Sequence, residues 1–130
     1  MEYGRTVTVA TSFEDTVTRV RQALAGHGFG VLTEIDVQAT LKVKLGEEME
    51  PYLILGACNP ALAKRALAED RSIGLLLPCN VVVRGSEGRT VVQVLDPQTM
   101  VQLTGLSTLQ VVADEAAERL DAVLASLPQH

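Results

Sequence analysis

Two Cys-Asn pairs hold the side chains with the clearest capacity for chemistry. Cys58 and Asn59 end the apolar run Y-L-I-L-G-A-C-N, and Cys79 and Asn80 open the run C-N-V-V-V-R. A cysteine thiolate is a nucleophile, and an asparagine amide can donate and accept hydrogen bonds. Each pair adjoins an apolar run that is short enough to be a buried strand. If the two strands lie close together in one sheet, both cysteines gather at one place.

Cys58 has a structural reason to be the more reactive of the two cysteines. Asn59 is predicted to cap a helix whose first residue is Pro60, because asparagine and proline are favoured at these two positions. The thiol of Cys58 would then lie near the positive end of the helix, which favours the thiolate form. The alternative is that Cys58 ends a buried strand and packs as a small apolar side chain, which is common for a free cysteine. The sequence favours packing without excluding reactivity.

Cys79 follows Pro78 and opens a strand, with no helix terminus to favour its thiolate, so packing is the favoured role there as well. Asn80 could offer its amide to a ligand or satisfy the hydrogen bonds of the strand end, whereas capping alone accounts for Asn59. The two cysteines are 21 positions apart, with a helix between two strands. This spacing allows them to be neighbours but does not require it.

A weaker candidate is an anion site at Asp36 and Lys42. Helix capping by Asp36, and the attraction between a helix C-terminus and the charges of Lys42 and Lys44, account for these residues without a ligand. No metal site is predicted, because the chain has neither C-x-x-C nor H-x-x-x-H spacing. His27 lies in a Gly-His-Gly turn and His130 is the last residue, so neither is expected to bind a metal. No cofactor is expected.

Composition limits the class of protein. The chain has 130 residues, of which 47% are hydrophobic and 3% aromatic, and its net charge is −5. This length is typical of one domain, whose core must be aliphatic. The negative charge and the lack of a lysine-arginine cluster argue against nucleic-acid binding. Neither a signal peptide nor an apolar run long enough to cross a membrane is visible, so we expect a cytoplasmic protein with reduced thiols.

Hydrophobic periodicity predicts an α+β fold: a single domain over residues 1–130 in which helices pack on a largely antiparallel sheet, as two layers. The order of elements is β-α-β-α-β-α-β-β-α. Strands are predicted over residues 6–11, 29–35, 52–57, 80–84 and 90–95, and helices over residues 13–24, 37–45, 61–68 and 109–127. The pattern of residues 72–77 does not decide between helix and strand. Ser12, Asp36 and Ser107 are predicted to cap their helices.

Three motifs carry a resemblance to a known family. They are D-V-Q-A-T-L-K-V-K-L-G at residues 36–46, I-L-G-A-C-N-P at residues 54–60 and L-L-P-C-N-V-V-V at residues 76–83, and Asp96-Pro97 follows the predicted hairpin. In these motifs and their order, the chain resembles the bacterial and archaeal domain-of-unknown-function family numbered 302, from Thr6 to the final helix. The resemblance implies a small α+β domain that forms a homodimer, and it implies no established activity.

Two functional hypotheses follow. In the first, a small homodimer binds a small molecule or handles sulfur by thiol chemistry, at a pocket near the two Cys-Asn pairs. In the second, the chain is a structural or interaction module whose cysteines are buried and whose surplus of apolar residues forms a dimer interface. The first requires at least one exposed thiol, and the second requires none. No nucleophile-elbow serine, catalytic carboxylate pair or phosphate-binding loop indicates a hydrolase or a transferase.

Overall fold

Five strands form a single sheet in the computed structural model, which describes residues 2–128. The strands are β1 (Gly4–Val9), β2 (Gly30–Asp36), β3 (Tyr52–Cys58), β4 (Cys79–Ser86) and β5 (Arg89–Leu95). They lie in the order β1-β5-β4-β3-β2, and every neighbouring pair is antiparallel. The predicted α+β fold is confirmed, and the sheet is antiparallel throughout.

Five α-helices accompany the sheet within the described residues. They are α1 (Phe13–Gly26), α2 (Val37–Leu45), α3 (Pro60–Glu69), α4 (Gln98–Thr104) and α5 (Gln110–Ala125). Short 3-10 helices occupy Arg71–Leu76 and Ser107–Leu109, so the segment that the sequence left undecided is helical. No helix in residues 2–128 combines the length and the apolar content that a membrane span needs.

Side-chain caps begin three of the helices where the sequence predicts them. The Ser12 hydroxyl accepts a hydrogen bond from the backbone N–H three residues on at 3.1 Å, and the Asp36 carboxylate accepts the corresponding bond at 2.9 Å. Asn59 caps α3 in the same way. The prediction that Ser107 caps the last helix is wrong, because Ser107 begins a 3-10 turn and α5 begins at Gln110 without a side-chain cap.

One face of the sheet packs against α1 and α5 and forms the larger hydrophobic core. The strand register places Leu55 beside Val81 and Val81 beside Val94, so their side chains share this face. All three are buried, as are Leu24 of α1 and Leu120 of α5. Burial of an aliphatic side chain of this size stabilises the fold by roughly 1.5–3 kcal/mol relative to exposure. This layer fixes the strand ends on which the cysteines lie.

A second cluster of buried side chains surrounds the end of the sheet where β3 ends and β4 begins. It contains Leu62 and Ala66 of α3, Met100 of α4, Leu109 at the end of the second 3-10 helix, and Val112 of α5. The cluster holds three helices together around the ends of the two strands that carry Cys-Asn pairs. The site described below lies in this part of the fold.

The opposite face of the sheet, called here the open sheet face, belongs to neither core. Ile35, Ile54 and Val82 lie side by side on it across β2, β3 and β4, and none of the three is buried. Helix α2 follows β2 and has no buried residue; its Val43 is 86% exposed and its Leu45 is 68% exposed. The row of Ile35, Ile54 and Val82 on the open sheet face, and helix α2, therefore carry apolar side chains that no part of residues 2–128 covers completely.

Candidate functional site

Cys58 and Cys79 line the same cavity. The cavity has a volume of about 30 Å³ and lies between the end of β3, the start of β4 and helices α3 and α5. Both cysteines are free thiols, and both are partly buried. Most of the remaining wall is apolar, with Phe29, Leu62 and Met100 among its side chains. The structure thus brings the two thiols together, as the sequence allowed but did not require.

Strand pairing is the reason that the cysteines meet. Ala57, the residue before Cys58, pairs directly with Cys79 across β3 and β4. Neighbouring strands are about 4.8 Å apart and rise about 3.4 Å per residue, so the Cα atoms of Cys58 and Cys79 are about 6 Å apart. Cys58 is the last residue of β3, where the chain turns into α3, and it forms part of the wall of the cavity that Cys79 lines.

The amide of Asn59 caps α3 and thereby positions Cys58. Asn59 Oδ1 accepts a hydrogen bond from the backbone N–H of Leu62 at 3.1 Å, and Pro60 is the first residue of the helix. Cys58 directly precedes this cap, so it lies at the positive end of a helix of ten residues. A negative charge at such an end is stabilised by roughly 0.3–1 kcal/mol. The predicted capping role of Asn59 is confirmed.

Burial raises the pKa of the Cys79 thiol from its ordinary value of 9.0 to about 11, and the negative charge of an ionised Cys58 nearby raises it in the same direction. Cys79 is therefore protonated throughout the neutral pH range. Because the thiolate is the nucleophilic form of a cysteine, Cys79 is a poor nucleophile at these pH values. A reaction at this cavity near neutral pH would have to begin at Cys58.

Asn80 is separated from the cavity by the alternation of side chains along β4. Cys79 lies on the face that packs against the helices, so Asn80, the next residue, lies on the open sheet face. There it is exposed and lines a different, shallow groove. Of the four candidate residues taken from the sequence, the structure brings together Cys58, Asn59 and Cys79, and it does not include Asn80.

Asp36 and Lys42 are engaged with other groups. The Asp36 carboxylate caps α2, and the ammonium group of Lys42 lies 3.6 Å from the carboxylate of Glu48 at the surface. The ring of His27 donates a hydrogen bond from Nδ1 to a backbone carbonyl of α1 at 2.8 Å, and His130 lies outside the described residues. Within residues 2–128, no three His, Cys, Asp or Glu side chains are grouped as ligands of a metal ion would be.

Two residues near the cysteines gave no signal in the sequence. Met100 of α4 is buried and lines the cavity. Arg119 of α5 donates a hydrogen bond from Nη1 to the carbonyl of His27 at 3.1 Å. A Cβ atom added to Gly28 would lie 3.0 Å from both Arg119 Nη1 and Asn59 Nδ2, so these two side chains are neighbours. The guanidinium of Arg119 also pairs with the carboxylate of Glu115 at 3.6 Å. Only the packing of α4 and α5 reveals these two contributions, because neither belongs to a local motif.

The size of the cavity limits what it can accept. Its volume of about 30 Å³ exceeds the roughly 10–15 Å³ that a water molecule needs. It falls far below the roughly 300–1,000 Å³ of pockets that enclose a drug-sized molecule. The two thiols can therefore meet a ligand of one or two atoms, or the reacting end of a larger ligand that stays outside.

The fold is that of an α+β protein in which helices pack on one face of an antiparallel five-stranded sheet. Two cysteines line one small cavity of this fold. The model of the family described as Domain of unknown function DUF302 matches residues 5–127. The chain belongs to this family. A crystal structure of an uncharacterized conserved protein DUF302 from Bacillus stearothermophilus is similar, with 33% identity and a TM-score of 0.90 over 96% of this chain and 98% of that chain. None of the curated proteins matches the chain.

Proposed function

We propose that this protein binds a small ligand by thiol chemistry at the cavity of Cys58 and Cys79, with Cys58 as the reacting group. The observation that carries the proposal is the convergence of the chain's two cysteines on one cavity. Cysteines that serve only to fill space have no need to be neighbours. Two thiols at one cavity can hold a ligand that binds sulfur, or can exchange electrons as a dithiol.

The surroundings of the two thiols support different roles for them. Cys58 directly precedes the Asn59 cap, at the positive end of α3. Cys79 keeps its proton at neutral pH, because its pKa is about 11, and it can act as the second thiol once Cys58 has reacted. Asn59 holds Cys58 in place through its capping bond.

Iodoacetamide labelling of the folded protein between about pH 5 and pH 9 tests this proposal, with mass spectrometry locating the label at each cysteine. We expect Cys58 to be alkylated in the native state. We expect Cys79 to stay unmodified until the protein is denatured, because a pKa of about 11 leaves almost no thiolate over this pH range. A Cys58→Ser variant is the matched control, since it should take up no label while it remains folded.

Two outcomes would contradict the proposal. If both cysteines stay protected in the native protein and both react in denaturant, they are packing residues and the thiol function is wrong. If Cys79 reacts in the native protein and Cys58 does not, the roles of the two thiols are wrong. Circular dichroism of the labelled protein shows whether the label entered a folded chain.

A second candidate function, self-association, is favoured by a different observation. Helix α2 has no buried residue although it carries Leu41, Val43 and Leu45. A helix of nine residues is marginal in water on its own, because nucleation is costly and most helical stability in proteins comes from packing. We therefore propose that a second copy of the chain packs against α2 and that the protein is a homodimer.

The open sheet face is the surface on the second copy that fits α2. It presents Ile35, Ile54 and Val82 in one row, and Ile35 lies in the strand that leads directly into α2. Because the two surfaces adjoin each other on one chain, a two-fold axis can bring each α2 onto the partner's sheet face. The cavity lies on the helix-covered side of the sheet, so this dimer is compatible with the thiol site.

We also propose that the protein acts in the cytoplasm. A reducing compartment keeps cysteines as free thiols, and the thiol function proposed for Cys58 and Cys79 needs that state. We propose neither nucleic acid nor an anionic membrane surface as a partner, because a net charge of −5 opposes binding to surfaces rich in phosphate.

A further inference from the structure

Three residues with sulfur in their side chains line the cavity: Cys58, Cys79 and Met100. They comprise both cysteines of the chain and the one methionine that is buried among residues 2–128. They come from three different elements, β3, β4 and α4, so no local pattern in the sequence brings them together. A buried methionine often fills an irregular gap, and its place beside two thiols gives it a second capacity, that of a metal ligand.

The chemistry of these groups selects a soft metal ion. Thiolate and thioether ligands favour Cu(I), whereas Mg²⁺ and Ca²⁺ require oxygen ligands and structural Zn²⁺ takes four ligands. Among the described residues, the cavity wall holds no carboxylate and no imidazole. The only side-chain oxygen in the wall belongs to Asn59, and it already accepts the hydrogen bond from Leu62.

The dimensions of the cavity agree with this choice. A volume of about 30 Å³ has room for about one water-sized group, and so it excludes a cation that keeps its hydration shell. We propose that Cys58, Cys79 and Met100 bind Cu(I) in this cavity, with the two thiolates as the main ligands and the thioether as the third. This inference rests on the proposed function, because the same two thiols serve both.

The binding of Cu(I) to the two thiols conserves atoms and charge, and no atom changes its oxidation state. One Cu(I) ion and two thiols give a bis-thiolate complex and two protons, so two Cu–S bonds form, two S–H bonds break and the protons leave to water. The complex carries one negative charge, which the N-terminus of α3 beside Cys58 stabilises.

An anaerobic competition tests the site. The reduced protein and bicinchoninate, a chromogenic chelator, share a limiting amount of Cu(I). We expect the wild-type protein to withhold one Cu(I) per chain and to show an ultraviolet thiolate-to-copper charge-transfer band, and we expect Cys58→Ser and Cys79→Ser each to lose both signals. Met100→Leu should weaken retention by about ten- to a hundredfold, the range for loss of a group that supports a metal site. Met49→Leu, at a partly exposed methionine elsewhere, should retain Cu(I) like the wild type.

The outcomes separate this inference from the proposed function. If the wild type releases Cu(I) as readily as Cys58→Ser does, while iodoacetamide still labels Cys58 in the native state, the copper site is wrong and the thiol function stands. If neither retention nor native labelling is observed, both are wrong. If Met100→Leu retains Cu(I) as strongly as the wild type does, the three-sulfur site is contradicted. Alanine replaces serine at either cysteine if circular dichroism shows that the serine variant is unfolded.

Discussion

Replacement of Gly56 by alanine is expected to lower the free energy of unfolding by about 3 kcal/mol, the upper end of the usual cost of overpacking a core. Gly56 is a buried residue of β3. A Cβ atom there would overlap Thr33 Oγ1 and lie 2.8 Å from Cγ of Pro78. The Thr33 side chain can rotate, but the proline ring cannot move without shifting Cys79 at the start of β4. In a domain of this size the loss corresponds to a fall of roughly 10 °C in Tm.

Gly26→Ala is the matched control for this substitution. Gly26 is the last residue of α1, and a Cβ atom there meets nothing within 4 Å, so we expect unchanged stability or a gain of up to about 1 kcal/mol. Adding Thr33→Ala to Gly56→Ala should restore only part of the loss, because the contact with Pro78 remains. If urea unfolding finds Gly56→Ala as stable as the wild type, the packing of Thr33 and Pro78 on β3 is contradicted.

Val43→Asp is expected to convert the proposed dimer into a monomer and to raise its dissociation constant by about a hundredfold or more, which corresponds to about 2.7 kcal/mol at 25 °C. Val43 is 86% exposed in the single chain, so the substitution should leave the fold intact. In the proposed dimer the new carboxylate would be buried without a partner against an apolar surface, which is strongly unfavourable. Light scattering on a size-exclusion column at micromolar concentration should give twice the mass of one chain for the wild type and the mass of one chain for the variant.

Two further variants show whether the contact uses the proposed surfaces. Ile35→Asp, on the open sheet face, should also produce a monomer. Val111→Asp places the same change at a valine of α5 that is 63% exposed and lies outside both surfaces, so it should remain a dimer. A wild-type protein that is a monomer at micromolar concentration contradicts the proposal. A dimer that survives both Val43→Asp and Ile35→Asp forms through another surface and contradicts it equally.

The bounds of a helix can be predicted from the sequence where a capping residue marks its start and a glycine marks its end. Helix α2 spans residues 37–45 as predicted, because the Asp36 carboxylate caps its start and Gly46 ends it in the left-handed conformation, with φ of 67°. The final helix lacks such a start. The S-x-x-Q pattern at Ser107 resembles a capping box, but the same residues form a 3-10 turn before Gln110, and the sequence pattern does not distinguish the two.

The pairing of distant strands could not be predicted, because alternation reports which residues share a face and not which strand lies beside them. The meeting of Cys58 and Cys79 depends on the register that sets Ala57 opposite Cys79, and a shift of one residue would turn Cys79 to the other face. The separation of Asn80 from Cys79 follows from alternation alone once β4 is known to begin at Cys79.

Oxidation of the native protein by diamide tests most directly whether Cys58 and Cys79 meet. We predict an intramolecular disulfide, detected as the loss of two hydrogens from the mass of one chain and as a Cys58–Cys79 cross-link after digestion, because both cysteines line one cavity at the Ala57–Cys79 pair of β3 and β4. Cys58→Ser and Cys79→Ser should form no such bond. A native protein that stays reduced, while the same oxidant forms the bond after denaturation, would contradict the shared cavity and the thiol function that depends on it.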